Sequence, residues 1–138
     1  MKNYTLTMIK PDAYHVADQI TKRITFEGFR VISMKAIMLT PNQASEFYSV
    51  HKSKDFYESL IKYMTSGPII IYALEKENAV EDFRNLIGST DPREALPGTI
   101  RSMYGTEVSS NAIHGSDSDD NAKKEILFFF PEIENKIV

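Results

Sequence analysis

Polar and apolar side chains alternate along Tyr4-Thr5-Leu6-Thr7-Met8-Ile9, with β-branched and aromatic residues among them. This period of two predicts a first strand. Lys10-Pro11-Asp12 ends it, since proline has no N–H to give a ladder. Val16, Ala17, Ile20 and Ile24 recur at helical spacing, and Gly28 is placed to stop that helix. Phe29 to Leu39 is apolar-rich between Gly28 and Pro41 and predicts a second strand. Thr40-Pro41-Asn42-Gln43 has the form of a capping box, with threonine as N-cap, proline at the first helical position and glutamine at the third. It predicts a helix from Pro41 to Val50. Ser53 is the expected cap of another helix from Lys54 to Thr65, closed by Ser66-Gly67-Pro68.

Ile69 to Leu74 is an unbroken apolar run between turn signals, the mark of a buried strand. Asn78 is read as the N-cap of a helix that runs to Ile87 and stops at Gly88. From Gly88 to His114 the pattern shows little regular structure beyond a helical turn near Thr99 to Tyr104. So long a loop in a compact domain is usually functional. Its two prolines and two arginines favour an ordered loop that faces an anion. Asp119 to Lys124 predicts a last helix, capped by Ser118. Ile126 to Phe130 predicts a short, very apolar fourth strand, and Glu132 to Val138 a tail against the surface. Taken in order, these elements predict an α+β fold on the ferredoxin-like βαββαβ plan. It has a four-stranded antiparallel sheet with helices on one face, an extra helix pair and a long inserted loop.

Composition narrows the function classes. At 138 residues the chain has the length of one domain, so residues 1–138 are expected to form a single domain with its own core. It has no cysteine, which removes disulfides and thiolate chemistry. The start, Met1-Lys2-Asn3-Tyr4, lacks the apolar run of a signal peptide, and no stretch approaches a membrane span. A cytoplasmic protein without membrane attachment is expected. Lys and Arg number 16 against 19 Asp and Glu, a net charge of −3. That balance argues against nucleic acid as a partner, and an anionic ligand needs a local basic cluster instead.

Candidate chemistry concentrates in Asn111-Ala112-Ile113-His114-Gly115-Ser116-Asp117-Ser118. His114 stands in a predicted loop among small, polar and acidic residues. A lone loop histidine commonly does no more than bond backbone. A neutral imidazole is nevertheless a good nucleophile near neutral pH, and the neighbouring hydroxyls and carboxylates suit orienting it. Lys10 ends the first strand, Arg84 lies late in the fourth helix and Arg101 in the long loop. Taken singly, each reads first as a solvated surface charge, but all three lie near element ends or loops, where ligand groups gather. Thr90 and Asn111 add uncharged polar groups. Guanidinium forks, a lysine point charge and hydroxyl donors are what a polyphosphate requires. His114 would then supply the atom that attacks a terminal phosphate.

With these motifs the chain resembles the nucleoside diphosphate kinase family along nearly its whole length. The family's Asn-x-x-His-Gly-Ser-Asp-Ser run is present as Asn111 to Ser118. Ile9-Lys10-Pro11-Asp12 matches its first-strand motif and Tyr63 to Pro68 its run before the third strand. Gly88 to Pro92 and Pro97 to Arg101 match its long loop. The resemblance implies transfer of the terminal phosphate of a nucleoside triphosphate to a nucleoside diphosphate. The implied route is a ping-pong mechanism through a phosphohistidine at His114, with broad base specificity. Lys10, Arg84, Thr90 and Arg101 are implied to contact the nucleotide phosphates, and Asn111 and Lys10 to hold the ribose hydroxyls. Phe56 is implied to stack on the base, with Val108 on the other face. Tyr48, Ser116 and Glu125 are implied to position and support His114, and Gly115 to keep the approach open. No acidic pair is placed to bind metal through protein alone, so Mg²⁺ is expected to arrive on the nucleotide phosphates. The implied partners are nucleoside tri- and diphosphates and further copies of the chain, as a homohexamer or a homotetramer built from dimers. Two departures bear on assembly. Ser102-Met103-Tyr104 stands where the family usually has Gly-Asp-aromatic, and the chain ends soon after Phe130-Pro131.

Two functions of other classes compete with this one. One is a catalytically silent ferredoxin-like binding module, against which the intact His114, Lys10, Arg84, Arg101 and Asn111 argue. The other is a phosphocarrier that works through histidine, in which Phe56 and Asn111 have no use. His15 and His51 are read as surface or loop-packing residues, Phe47 as core, and Phe128 to Phe130 as core strand.

Overall fold

The computed structural model describes residues 2–137; Met1, and Val138 at the end of the expected tail, lie outside the described residues. Among the described residues, four strands make one sheet: β1 (Lys2–Ile9), β2 (Arg30–Ile37), β3 (Ile69–Glu77) and β4 (Ile113–Gly115). Their order is β2-β3-β1-β4, and every neighbouring pair is antiparallel. Helix α1 (Ala17–Phe26) carries the chain from β1 to β2, and α4 (Ala79–Ile87) from β3 towards β4. Each crossover skips one strand, so two βαβ units interleave, which is the ferredoxin-like plan. The helix pair α2 (Pro41–Phe47) and α3 (Tyr57–Met64) precedes β3. The long loop before β4 carries α5 (Ile100–Tyr104), and α6 (Asp119–Phe129) and α7 (Glu134–Ile137) follow the sheet.

Several local signals act as their residues dictate. The capping box closes α2: Gln43 N–H donates to Thr40 Oγ1 at 3.1 Å, and Thr40 N–H donates to Gln43 Oε1 at 2.9 Å. Gly28 and Gly88 end α1 and α4 with φ of 96° and 88°, angles that cost glycine little. Two expected caps fail. Ser53 caps nothing, and α3 starts at Tyr57 after Phe56, which makes no side-chain cap bond. Asn78 stands at the N-cap of α4 but in a left-handed conformation, φ 58°. Its amide reaches the carboxylates of Glu81 and Asp82 instead of a backbone N–H.

The end of the chain corrects the pattern reading. Ile126 to Phe130 is not a strand: it continues α6, which runs unbroken from Asp119 to Phe129. The place beside β1 belongs to residues 113–115, so the segment read as a loop holds the fourth strand. Five apolar residues in a row carry no period that separates strand from helix. Ile126 and Phe129 face the sheet, while Phe128 and Phe129 meet Phe47 of α2 at ring-centroid distances of 5.6 and 5.1 Å. The tail is not a surface strap either. Ile133 and Ile137 are buried, and Tyr4 Oη donates to the carbonyl of Lys136 at 2.9 Å.

Helices cover both faces of the sheet, not one. Alternate residues of β3 explain this. Ile69, Ile71 and Ala73 join Leu6 and Met8 under α2, α3 and α6, whereas Tyr72 and Leu74 join Ile9 and Ile113 under α1 and α4. A central strand apolar on both sides needs a layer on each. For the site, the pairing of β1 with β4 matters most. Met8 lies opposite His114 and Ile9 opposite Ile113, so Lys10, just past β1, meets the residues just before β4.

Candidate active site

A cleft of about 1180 Å³ opens where β1 ends and β4 begins. Tyr48, His51, Phe56 and Tyr63 line it from the region of the α2–α3 pair, and Arg84, Thr90, Arg101 and Val108 from the end of α4 and the long loop. Lys10, Asn111 and His114 line it as well. The ten site residues expected from the sequence therefore gather in one place, eight in the cleft wall and two, Ser116 and Glu125, behind the histidine.

Behind His114, Nε2 lies 2.9 Å from Glu125 Oε1. The same oxygen accepts a bond from Ser116 Oγ at 2.7 Å, and Ser116 Oγ in turn accepts the N–H of Leu6 on β1 at 3.1 Å. A carboxylate can only accept, so the proton of this pair sits on Nε2 and the lone pair of the neutral ring is on Nδ1. The ring is held on one edge by Phe47, 5.8 Å away and nearly perpendicular. Phe47 is thus both core and a support of the site. Strand pairing fixes the backbone, and Thr7 Oγ1 donates to the His114 carbonyl at 2.7 Å.

Positive charge faces the cleft. Lys10 Nζ donates to Asn111 Oδ1 at 2.9 Å, and Asn111 Nδ2 donates to the Thr90 carbonyl at 3.1 Å, so three separate segments lock together. Burial pushes the Lys10 ammonium down to about 8, with Arg101 adding repulsion and Asp12 opposing it. Arg101, itself buried, donates to the carbonyls of Gly88 at 3.0 Å and Ile113 at 2.8 Å. Burial, then Arg84, lowers it to about 10. Its Nε is buried and unpaired, as is the hydroxyl of Tyr48, whose pKa is raised by burial and by Glu125. Cations that repel one another beside unpaired buried donors form a site suited to an anion with several oxygens.

Phe56 and Val108, each about half exposed at 51% and 52%, both line the cleft. Large apolar groups left in water in a cleft suit a flat apolar ligand. Sequence reasoning missed three residues here. His51 is not a bystander: it lines the cleft between Tyr48 and Phe56, its ring centroid 5.6 Å from that of Phe56. Asp12 and Tyr63 stood inside recognised motifs, but their contacts join segments far apart in the chain. The role expected of Gly115 also changes. It borders the cleft, yet a Cβ there would lie 3.0 Å from Ile87 Cδ1 and Phe83 Cδ2. The missing side chain lets β4 sit against α4.

Residues 3–135 match the family model for nucleoside diphosphate kinase. The chain belongs to the nucleoside diphosphate kinase family. A family member from a Nitratiruptor species is 50% identical over 132 residues, covering 94% of this chain and 96% of the relative. One from Flavobacterium psychrophilum is 50% identical over 131 residues, covering 93% and 94%. The solved nucleoside diphosphate kinase of Aquifex aeolicus superposes with a TM-score of 0.93 at 40% identity, over 100% of both chains. That of Halobacterium salinarum, in complex with CDP, gives 0.91 at 34% identity over 97% of this chain and 91% of that one. The chain is thus a phosphotransferase, its substrates are nucleotides, and a silent binding module is not favoured.

Proposed function

We propose that His114 carries the phosphoryl group between nucleotides and that its Nδ1 is the attacking atom. One observation carries the reading: Glu125 holds Nε2–H from behind, which leaves the Nδ1 lone pair in a basic cleft. In the first half-reaction the lone pair of Nδ1 attacks the terminal phosphorus of a triphosphate. The N–P bond forms, the bond to the bridging oxygen breaks, and a diphosphate leaves. The ring becomes cationic and Glu125 offsets that charge while the Nε2 proton stays in place. The second half-reaction reverses these steps on another diphosphate, so one site serves both.

Lys10, Arg84, Arg101 and Thr90 are assigned to the phosphates, since lysine and guanidinium donors stabilise charge that spreads over the transferring oxygens. Asn111, fixed by Lys10 and the Thr90 carbonyl, is assigned with Lys10 to the ribose. Phe56 and Val108 are assigned to the base faces. An aromatic face binds any base, so broad base specificity follows. Tyr48, Ser116 and Glu125 position His114.

A divalent metal fits as a companion of the nucleotide. Among the described residues no three His, Cys, Asp or Glu side chains converge to hold one. Mg²⁺ on the phosphate oxygens, when bound, supplies charge neutralisation that Lys10, Arg84 and Arg101 extend. The same reading takes residues 1–138 as one domain acting in the cytoplasm. It also includes self-association, as a homohexamer or homotetramer built from dimers. Exposed Phe26 and Met103 on α1 and α5, and the edge position of β2, support a partner surface.

The test is covalent labelling. Protein incubated with ATP labelled at the terminal phosphate is expected to take up label as a phosphoramidate, stable in alkali and lost in acid, and to release it to added GDP. His114→Ala is expected to take up none. Label that persists in that variant, or survives acid, refutes the nucleophile.

A further inference from the structure

Asn111, Ala112 and Ile113 form a tight turn immediately before His114. The N–H of Ile113 donates to the carbonyl of Asn111 at 2.9 Å across one residue, and that residue, Ala112, has φ of 75°. A γ-turn with positive φ is rare and strained when its central residue carries a side chain. Among the described residues the other non-glycine with positive φ is Asn78, and asparagine tolerates that region far better than alanine. Such strain persists where the surroundings over-determine it.

Here the surroundings come from the segment after β1. The N–H of Lys10 donates to the Ala112 carbonyl at 2.8 Å. Asp12 Oδ2 accepts the Ala112 N–H at 3.1 Å. Both backbone polar groups of the strained, fully buried residue are therefore held by residues 10–12. Asp12 is itself anchored from α3: the Tyr63 hydroxyl donates to its Oδ1, and its own N–H donates to that hydroxyl oxygen at 3.3 Å. The residues either side of the turn carry the chemistry. Asn111 is tied to Lys10 Nζ, and Ile113, next to His114, is tied to Arg101. The turn thus fixes the step from Asn111 to His114.

We infer that Asp12, buttressed by Tyr63, is a positioning residue: its carboxylate holds Ala112 in the strained turn and thereby sets His114 against Lys10 and Asn111. This rests on the reading of His114 as the phosphorylated group. Asp12 acts through the backbone and touches no reacting atom. Two consequences separate it from a general packing role. A carboxamide at position 12 still accepts the Ala112 N–H, and a methyl group does not. Glycine at 112 takes positive φ without strain, so it needs the clamp less.

The test uses the full chain as Asp12→Ala, Asp12→Asn, Ala112→Gly and the pair Asp12→Ala/Ala112→Gly. Each is read by rapid-quench transfer of labelled phosphate from saturating ATP, by ADP affinity, and by hydrogen exchange at the residue 112 amide. Asp12→Ala is expected to slow transfer about tenfold and to expose the amide, with ADP affinity within about threefold because Asn111 keeps its own bonds. Asp12→Asn is expected to keep most of the rate. The pair is expected to run at least about threefold faster than Asp12→Ala alone, the coupling that a shared turn requires. A wild-type rate in Asp12→Ala overturns the inference, and so does a pair no faster than Asp12→Ala. Should Asp12→Ala fail to fold, Tyr63→Phe with and without Ala112→Gly makes the same comparison. His114→Ala, run alongside, judges the nucleophile separately: label there overturns that reading, while amide exchange in the Asp12 series reports on the turn regardless.

Discussion

Replacing Glu125 by glutamine keeps the shape behind His114 and removes its charge. One oxygen, Glu125 Oε1, accepts from both His114 Nε2 at 2.9 Å and Ser116 Oγ at 2.7 Å. A hydrogen bond to a charged group contributes about 1.5–3 kcal/mol and a neutral one about 0.5–1.5 kcal/mol. Both side chains of the His114–Glu125 pair are 20% exposed, so water screens part of the difference. The net loss is about 1–2 kcal/mol, and it falls on the transition state, where the ring gains charge as Nδ1 bonds to phosphorus. At about 1.36 kcal/mol per decade, transfer is expected to slow about 5–30-fold. Glu125→Ala also leaves Nε2–H without its acceptor and the ring free to turn, and is expected to slow it on the order of 100-fold. The assay is single-turnover labelling of the protein from ATP at saturating nucleotide, with the melting temperature measured beside it. A rate in Glu125→Gln within about twofold of the parent, in protein that melts normally, refutes the charge argument. A slow Glu125→Gln whose label, unlike a phosphoramidate, resists acid points to a different acceptor group.

Three other outcomes are expected. Lys10 loses its proton as pH rises through about 8, so ADP affinity of the free protein should fall about tenfold between pH 7 and 9. Calorimetry on the parent and Lys10→Met checks this; a pH step that survives in the variant belongs to another group. Because its folded pKa lies below the ordinary value of 10.5, Lys10 itself adds stability, and does not remove it, as pH climbs from about 8 towards 10.5. Gly115→Ala should cost about 1–3 kcal/mol of stability in urea, since the new methyl meets Phe83 and Ile87 at 3.0 Å; an unchanged midpoint means α4 moves away freely. Pro92→Ser should weaken the oligomer and lower its urea midpoint more than it lowers the activity of assembled protein. Pro92 is buried and packs where a side chain on Gly105 would collide with it, so its loss loosens the loop that carries Thr90 and Arg101. Unchanged light scattering and midpoint would take this loop out of the interface.

The resemblance carried over a site that the fold then assembled: Lys10, Arg84, Thr90, Arg101, Asn111 and His114 meet in one cleft although they span more than a hundred residues of chain. Short-range physics was equally legible. The capping box at Thr40 and Gln43, the glycine stops at Gly28 and Gly88, and the period of β1 each depend on neighbours within a few residues, and each forms as written.

What the sequence left open depends on partners far along the chain. Residues 113–115 are a strand because β1 pairs with them, and three residues carry no period of their own. Ile126 to Phe129 is helix because the strand position is already filled and Phe47 offers a face for its aromatics. The left-handed Ala112 is invisible in a residue type that avoids that conformation; Lys10 and Asp12 impose it from a hundred residues away. Arg101 read as a phosphate ligand, but two of its N–H groups hold carbonyls of Gly88 and Ile113, so it also frames the site. Side-chain type and spacing fix what a residue can do locally. Which of two conformations wins is decided by the non-local hydrogen bonds and burial that only the assembled fold supplies.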